Sequence, residues 1–196
     1  MSTSSPDLRP ATLRLAGLVP DSIVDGPGLR FAVFTQGCPH RCEGCHNPAT
    51  WHAEGGREMS VDEVFSRIRD RREWLDGVTL SGGEPFRQAP ALAPLARACR
   101  ALGLPVMSYT GYTWEELNDP ASAPAGAAEL LAELDLLVDG RFELAKRSLL
   151  LRFRGSSNQR VIDVPASLRD GSCVTTEFPA PTTTRHLAPA DPFSLR

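Results

Sequence analysis

Cys38, Cys42 and Cys45 put three thiols into eight residues of the stretch GCPHRCEGCHNPATW (37–51), and His46 follows the last of them directly. In a reducing compartment such clustered thiols serve metal or redox chemistry more often than disulfides. A structural zinc wants four protein ligands closed into a tetrahedron. Adjacent residues such as Cys45 and His46 rarely both ligate one zinc, so that reading needs a distant fourth ligand. Cys99 falls on a helical core stripe and Cys173 far along in a loop. The Cys-x-x-Cys-His run at 42–46 also matches covalent haem attachment, but it leaves Cys38 without a role and expects an export signal. The stretch is too rich in Pro, His, Arg, Glu and Asn to be packed core. A [4Fe–4S] cluster, normally held by one thiolate per iron, uses all three cysteines and leaves one iron with an open position. Open positions are where metal sites do chemistry.

The elements that must hold this loop alternate along the chain. LRFAVFT (29–35) reads as a buried strand leading into the cysteines. SVDE (60–63) is a capping box, after which Val61, Val64, Phe65 and Ile68 fall on one face of a helix. VTLS (78–81) is a second strand, ending in LSGGEP (80–85). By themselves Gly82 and Gly83 read as a turn that permits positive φ, with Pro85 stopping the strand. Leu92, Leu95, Cys99 and Leu102 form the buried stripe of a second helix stopped at Gly103. PVMSYT (105–110) is a third strand, TWEE (113–116) another capping box, GAAELLAEL (126–134) a helix, DLLVD (135–139) a fourth strand and VIDV (161–164) a fifth. Strand–helix alternation with short links implies an α/β fold on a parallel sheet with right-handed crossovers. The sheet is either open or curled into part of a barrel.

The bulk properties fit one ordinary globular domain: 196 residues, 41% apolar, 23% charged, net charge −3. That charge gives no nucleic-acid footprint. MSTSSPDLRPATLRLAG at the start lacks the apolar segment of a signal peptide, and no apolar run approaches the ~20 residues of a membrane span. A cytoplasmic protein with no nucleic-acid or membrane partner is expected. Residues 1–15 are expected to be a flexible N-terminus, 16–170 the functional domain and 171–196 a Pro-rich extension.

C-x3-C-x2-C after a first strand, followed by GGEP at the end of the next, resembles the radical S-adenosylmethionine (SAM) enzymes. The resemblance implies a partial (β/α) barrel with about five to six mostly parallel strands. It also implies that SAM chelates the open iron, takes one electron at its sulfonium and loses its S–C5′ bond. The 5′-deoxyadenosyl radical then takes a hydrogen atom from a substrate. IVDGPGLRFAVFTQGCPHRCEGCHNPATW (23–51) is similar to the opening of glycyl-radical-enzyme activating proteins. LLVDGRFE (136–143) and FRGSSNQRVIDV (153–164) resemble the short branch that activates anaerobic ribonucleoside-triphosphate reductase. There the hydrogen comes from a glycine of a large partner, and the electron from a donor such as flavodoxin or ferredoxin. The other possibilities are a small radical SAM enzyme acting alone on a metabolite or peptide, and a non-enzymatic zinc or haem module.

By the resemblance, Cys38, Cys42 and Cys45 ligate the cluster. Gly44, Cys45 and His46 lie along SAM, and the backbone of Gly82, Gly83 and Glu84 receives its amino end, the two glycines letting it approach without a Cβ in the way. Asp139 and Arg141 match an Asp-x-Lys whose cation meets the SAM carboxylate, a role an Arg fork can fill; otherwise Arg141 is a surface residue. Asn158, Gln159 and Arg160 have the character of a SAM or partner contact, or of a solvated turn. Tyr112 either lines the cavity or packs at the rim. His40, Arg41 and Glu43 face solvent or the partner. Many relatives carry an aromatic residue before the third cysteine, where this chain has Gly44.

Overall fold

A computed structural model describes residues 11–178. Seven strands form one sheet: β1 (Thr12–Ser22), β2 (Arg30–Thr35), β3 (Arg57–Ser60), β4 (Gly77–Gly82), β5 (Val106–Tyr109), β6 (Leu136–Asp139) and β7 (Arg160–Asp163). Their order is β3-β1-β2-β4-β5-β6-β7. The helices are α1 (Val61–Arg69), α2 (Ala89–Ala101), α3 (Trp114–Asn118), α4 (Ala127–Leu131) and α5 (Val164–Asp170). Among the described residues no helix is long and apolar enough to cross a membrane.

The four central strands β2, β4, β5 and β6 are parallel, as the strand–helix alternation predicts. Both flanks are antiparallel, which it does not. β1 carries Gly17 and Pro20 and pairs with β2 through two register shifts, so its alternation is broken in the sequence. It begins at Thr12, inside the stretch 1–15 expected to be loose, because Leu13 and Leu15 are wholly buried. β7 runs back along β6 for a physical reason. Parallel neighbours need a crossover to the far end of the sheet, whereas residues 140–159 hold only the short 3-10 turn Leu144–Lys146 and stay at the end where β6 stops. Asp139 therefore faces Arg160 across the ladder. Val174 and Thr176 also bond the backbone of β7, inside the expected C-terminal extension. Residues 1–10 and 179–196 lie outside the described residues.

The core lies on one face of the sheet. Phe31, Val33, Val78, Leu80, Val106, Leu137 and Ile162 point into it from the strands, and Val64, Ile68, Leu92, Leu95, Cys99, Leu130 and Leu131 from the helices. Each such side chain contributes about 1.5–3 kcal/mol of transfer free energy. Ser60 caps α1 through the Glu63 N–H at 3.1 Å, but the Glu63 carboxylate accepts from Arg67 rather than reaching back. Thr113 and Glu116 make the complete reciprocal box on α3.

The other face carries Arg30, Thr79, Met107, Tyr109, Val138 and Val161, and buries less. Arg30 is buried there, among the described residues without a carboxylate partner. Its guanidinium donates to the Thr79 hydroxyl and to the carbonyls of Asp76, Val78 and Pro105. Desolvation lowers its pKa to about 10, so it stays a cation at neutral pH.

Candidate active site

β2 delivers the cysteine loop, and the loop stem is closed like a ladder. The Gly37 N–H donates to the Thr50 carbonyl at 2.8 Å and the Cys38 N–H to that of Trp51 at 3.2 Å. The Gln36 amide donates to the carbonyls of Ala49 and His52 from inside the loop. The segment after the cysteines is thus pinned by its own backbone. Cys38, Cys42 and Cys45 are free, partly exposed thiols that line one cavity of about 370 Å³. Its other walls are Phe34, Ser81, Gly82, Gly83, Tyr109, Thr110, Gly111 and Gly140, at the carboxyl ends of β2, β4, β5 and β6. Parallel α/β sheets bind ligands at that end.

The thiols suit a multi-iron cluster. Among the described residues no three His, Cys, Asp or Glu side chains converge on a single-ion position. Cys38, Cys42 and Cys45 all line the one cavity, and a [4Fe–4S] cube takes one thiolate per iron. Burial pushes the Cys38 and Cys42 thiols up, so iron binding must displace their protons. The Asn47 N–H already donates to the Cys45 sulfur at 3.4 Å.

Glu84 does not reach for a ligand. Its carboxylate is fully buried, and all its lone pairs are directed at protein donors. One oxygen accepts from Phe86 N–H at 3.0 Å and the Thr110 hydroxyl at 2.9 Å; the other accepts from Gly111 N–H at 2.8 Å and His40 Nε2 at 2.8 Å. Arg141 Nε donates to His40 Nδ1 at 3.3 Å, which places the imidazole proton on Nε2. The Glu84 side chain therefore bolts the cysteine loop to the ends of β4 and β5, which leaves its backbone for the expected ligand contact. The expectation for His40 is corrected. Its side chain is 5% exposed and stacked edge-on against Tyr112 with centroids 4.6 Å apart, rather than facing solvent. An x position between two cysteines carries no sequence signal for this, because the partner lies 44 residues away.

The glycines also have a nearer cause than ligand access. Gly82 has φ +100°, and a Cβ there would strike the Thr35 backbone; at Gly83 it would meet the Gly37 carbonyl oxygen at 2.5 Å. The cysteine-loop stem packs directly on β4. Gly44 has φ +73°, and a Cβ there would meet Leu144 at 3.0 Å and Phe142 at 3.3 Å. Phe142 also packs against His46 with centroids 5.5 Å apart. The aromatic ring missing at position 44 is supplied over the same spot by residue 142.

The remaining candidates divide. Cys45, His46, Gly82, Gly83 and Gln159 line the thiol cavity. Asp139, Arg141, Asn158 and Arg160 line a second, adjoining pocket with His40 and Cys42. Asp139 is buried, accepts from the Trp114 N–H and pairs with Arg160. Arg141 pairs with Glu116 at 3.2 Å and bonds His40, a residue of the thiol-cavity wall. Tyr112 packs at the core edge and lines neither pocket. Sequence reasoning missed Arg154. It lines the thiol cavity with its Nε buried and, among the described residues, unpartnered.

Arg160 grips Glu115 at 3.1 and 2.8 Å, and these hydrogen bonds hold the Glu115 carboxyl down to about 2. A folded-state pKa below the unfolded value gives stability that is present above about pH 4.5 and drains as pH falls toward 2. Glu115 is largely exposed, so screening limits the gain to under about 1 kcal/mol. Glu115→Gln should bring the melting midpoints at pH 3 and pH 7 about 1–2 °C closer in calorimetry.

Three thiols on a loop above the carboxyl ends of parallel strands define an iron–sulfur protein of the α/β class. A family model described as a 4Fe-4S single cluster domain matches residues 24–162. The anaerobic ribonucleoside-triphosphate reductase-activating protein of Escherichia coli K12 is 35% identical over 149 residues, covering 72% of this chain and 93% of the relative. That of Vibrio cholerae is 36% identical over 147 residues, covering 71% and 91%. The pyruvate formate-lyase-activating enzyme of Listeria monocytogenes is 47% identical over 85 residues, covering 41% of this chain and 34% of that enzyme. The chain belongs to the 4Fe–4S single-cluster family and, within it, to the anaerobic ribonucleoside-triphosphate reductase-activating proteins.

Proposed function

We propose that this enzyme reductively cleaves SAM and generates a glycyl radical on a partner of the anaerobic ribonucleotide reductase type. Cys38, Cys42 and Cys45 would hold the cluster. The observation that carries the reading is the thiol cavity itself, whose lining among the described residues has three cysteines and no fourth. When bound, the cluster and SAM supply one-electron cleavage of the S–C5′ bond and hence a hydrogen-abstracting radical; binding and orientation belong to the chain's own residues. Backbone groups of Gly44, Cys45 and His46 on one side and of Gly82 and Gly83 on the other would embrace SAM. Arg154, with its unpartnered Nε on the cavity wall, would take the carboxylate role that Arg141 can fill only by leaving Glu116. Glu84 and His40 fix the loop, and Phe34, Phe142 and Phe153 keep water from the reacting centre.

The four parallel strands with their crossovers would be the partial (β/α) barrel of the radical SAM type, and residues 16–170 its functional unit. An electron donor such as flavodoxin or ferredoxin would feed the cluster, and the cytoplasm would be its place of work. The test is electron paramagnetic resonance on anaerobically reconstituted protein mixed with SAM, a strong reductant and the organism's anaerobic ribonucleotide reductase. A glycyl doublet on the reductase is expected. Cleaved SAM without that doublet would assign the chain to a substrate of its own.

A further inference from the structure

We infer that the Lys146–Ser157 hairpin and the Ile23–Val24 turn form the surface that grips the partner enzyme, through an extended partner segment carrying apolar side chains flanked by Asp or Glu. The inference rests on the activase reading above and names how that partner is held. Leu149 and Leu150 are 85% and 94% exposed, and Ile23 and Val24 73% and 74%. Paired exposed aliphatics at a cavity rim mark an interaction site rather than chance surface apolarity. Val24 and Asp25 themselves line the thiol cavity, as do Phe153, Arg154 and Gly155 on the return arm of the hairpin. Both segments that carry the exposed aliphatics thus also contribute to the cavity wall.

The hairpin is built, not loose. Arg147 and Ser156 form an antiparallel bridge. Ser148 N–H donates to the Gly155 carbonyl at 3.1 Å and Ser157 N–H to that of Lys146 at 2.9 Å. At its far side Phe153 is held at φ +51°, a left-handed conformation that costs a bulky residue strain, and its ring meets Phe178 edge-on with centroids 5.0 Å apart. The surrounding structure thus fixes a hairpin that holds its leucines in water.

Charge selects the occupant. The segment LAKRSLLLRFR (144–154) has Lys146, Arg147, Arg152 and Arg154 and no Asp or Glu, in a chain whose net charge is −3. Lys146 and Arg154 lean on Glu143 and Glu177, and Arg147 and Arg152 stand on either side of the leucines in sequence, with Arg152 5.4 Å from the centroid of the Phe153 ring. An acidic–apolar peptide complements this pattern, and complementary charge speeds and orients encounter.

The test uses full-length cluster-loaded protein over the immobilised reductase in surface plasmon resonance. The variants are L149S/L150S and, outside the apolar pair, R147E. Each should raise Kd at least about tenfold for the double variant and about threefold for R147E. Wild-type binding should weaken severalfold between about 50 and 300 mM salt. Iron content and partner-free SAM cleavage should stay within about twofold of wild type, since none of these side chains lines the cavity. A Kd unchanged in both variants overturns the inference. So does a wild-type dimer that L149S/L150S disperses in sedimentation, or binding to phosphatidylglycerol vesicles that only the variants lose. If wild type raises the glycyl doublet while its Kd ignores both variants, only the docking surface falls; if wild type raises no doublet, the activase reading itself falls.

Discussion

Replacing Cys38, Cys42 or Cys45 singly by Ala is expected to drop bound iron from about four per chain to below about one, and to slow SAM cleavage by about a thousandfold or more. Each thiol would carry one iron, and the cavity lining offers no other cysteine to replace it. The controls are built into the fold. Cys99 is wholly buried among core side chains, and burial alone raises its pKa to about 12; Cys99→Ala should cost about 1 kcal/mol of stability and no iron. Cys173 packs at the core edge and feels Arg160, outside the thiol cavity. Cys173→Ala should keep full iron and full cleavage. Iron loss in that variant would mean a fourth protein thiolate and would remove the open position on which SAM binding depends. Iron analysis, the charge-transfer absorbance of the cluster and product counting measure all five variants.

Glu84→Ala should be the most damaging change outside the cysteines. It strips the acceptor from Phe86 N–H, the Thr110 hydroxyl, Gly111 N–H and His40 Nε2 at once. Leaving several buried donors unsatisfied costs about 3–5 kcal/mol, or about 6–20 °C in melting midpoint for a chain of this size. Glu84→Gln is the sharper probe. One of its two side-chain termini becomes a donor and opposes at least one backbone N–H, Phe86 or Gly111, so it should destabilise by a smaller amount while still loosening the cysteine loop from β4 and β5. The expected signature is a folded protein whose cluster is lost to a chelator at least about tenfold faster than in wild type. A Glu84→Gln protein with wild-type chelator resistance and a higher KM for SAM would return Glu84 to direct cofactor contact.

Much of this was legible in the sequence because it is local. The cysteine spacing, the capping residues Ser60 and Thr113 and the core stripe of α2 each report on residues within one or two turns. The strands β2, β4, β5 and β6 announce themselves by short, mostly apolar runs bounded by turn residues. What stayed hidden depends on distant partners. β1 is masked by Gly17 and Pro20 and becomes a strand only because β2 and β3 pair with it. The direction of β7 follows from where residues 140–159 travel, and strand composition does not encode direction. The partners of Arg141 stayed hidden because Glu116 and His40 come from distant segments, while Arg154 lay in a segment that reads as an ordinary basic loop.

The apolar core includes none of the three loop cysteines, and the loop stem is tied by peptide hydrogen bonds and by Gln36. Small zinc modules, by contrast, unfold when their metal leaves. Here the scaffold is therefore expected to keep its fold when the cluster is lost, so that air-damaged molecules regain activity with fresh iron and sulfide rather than new synthesis.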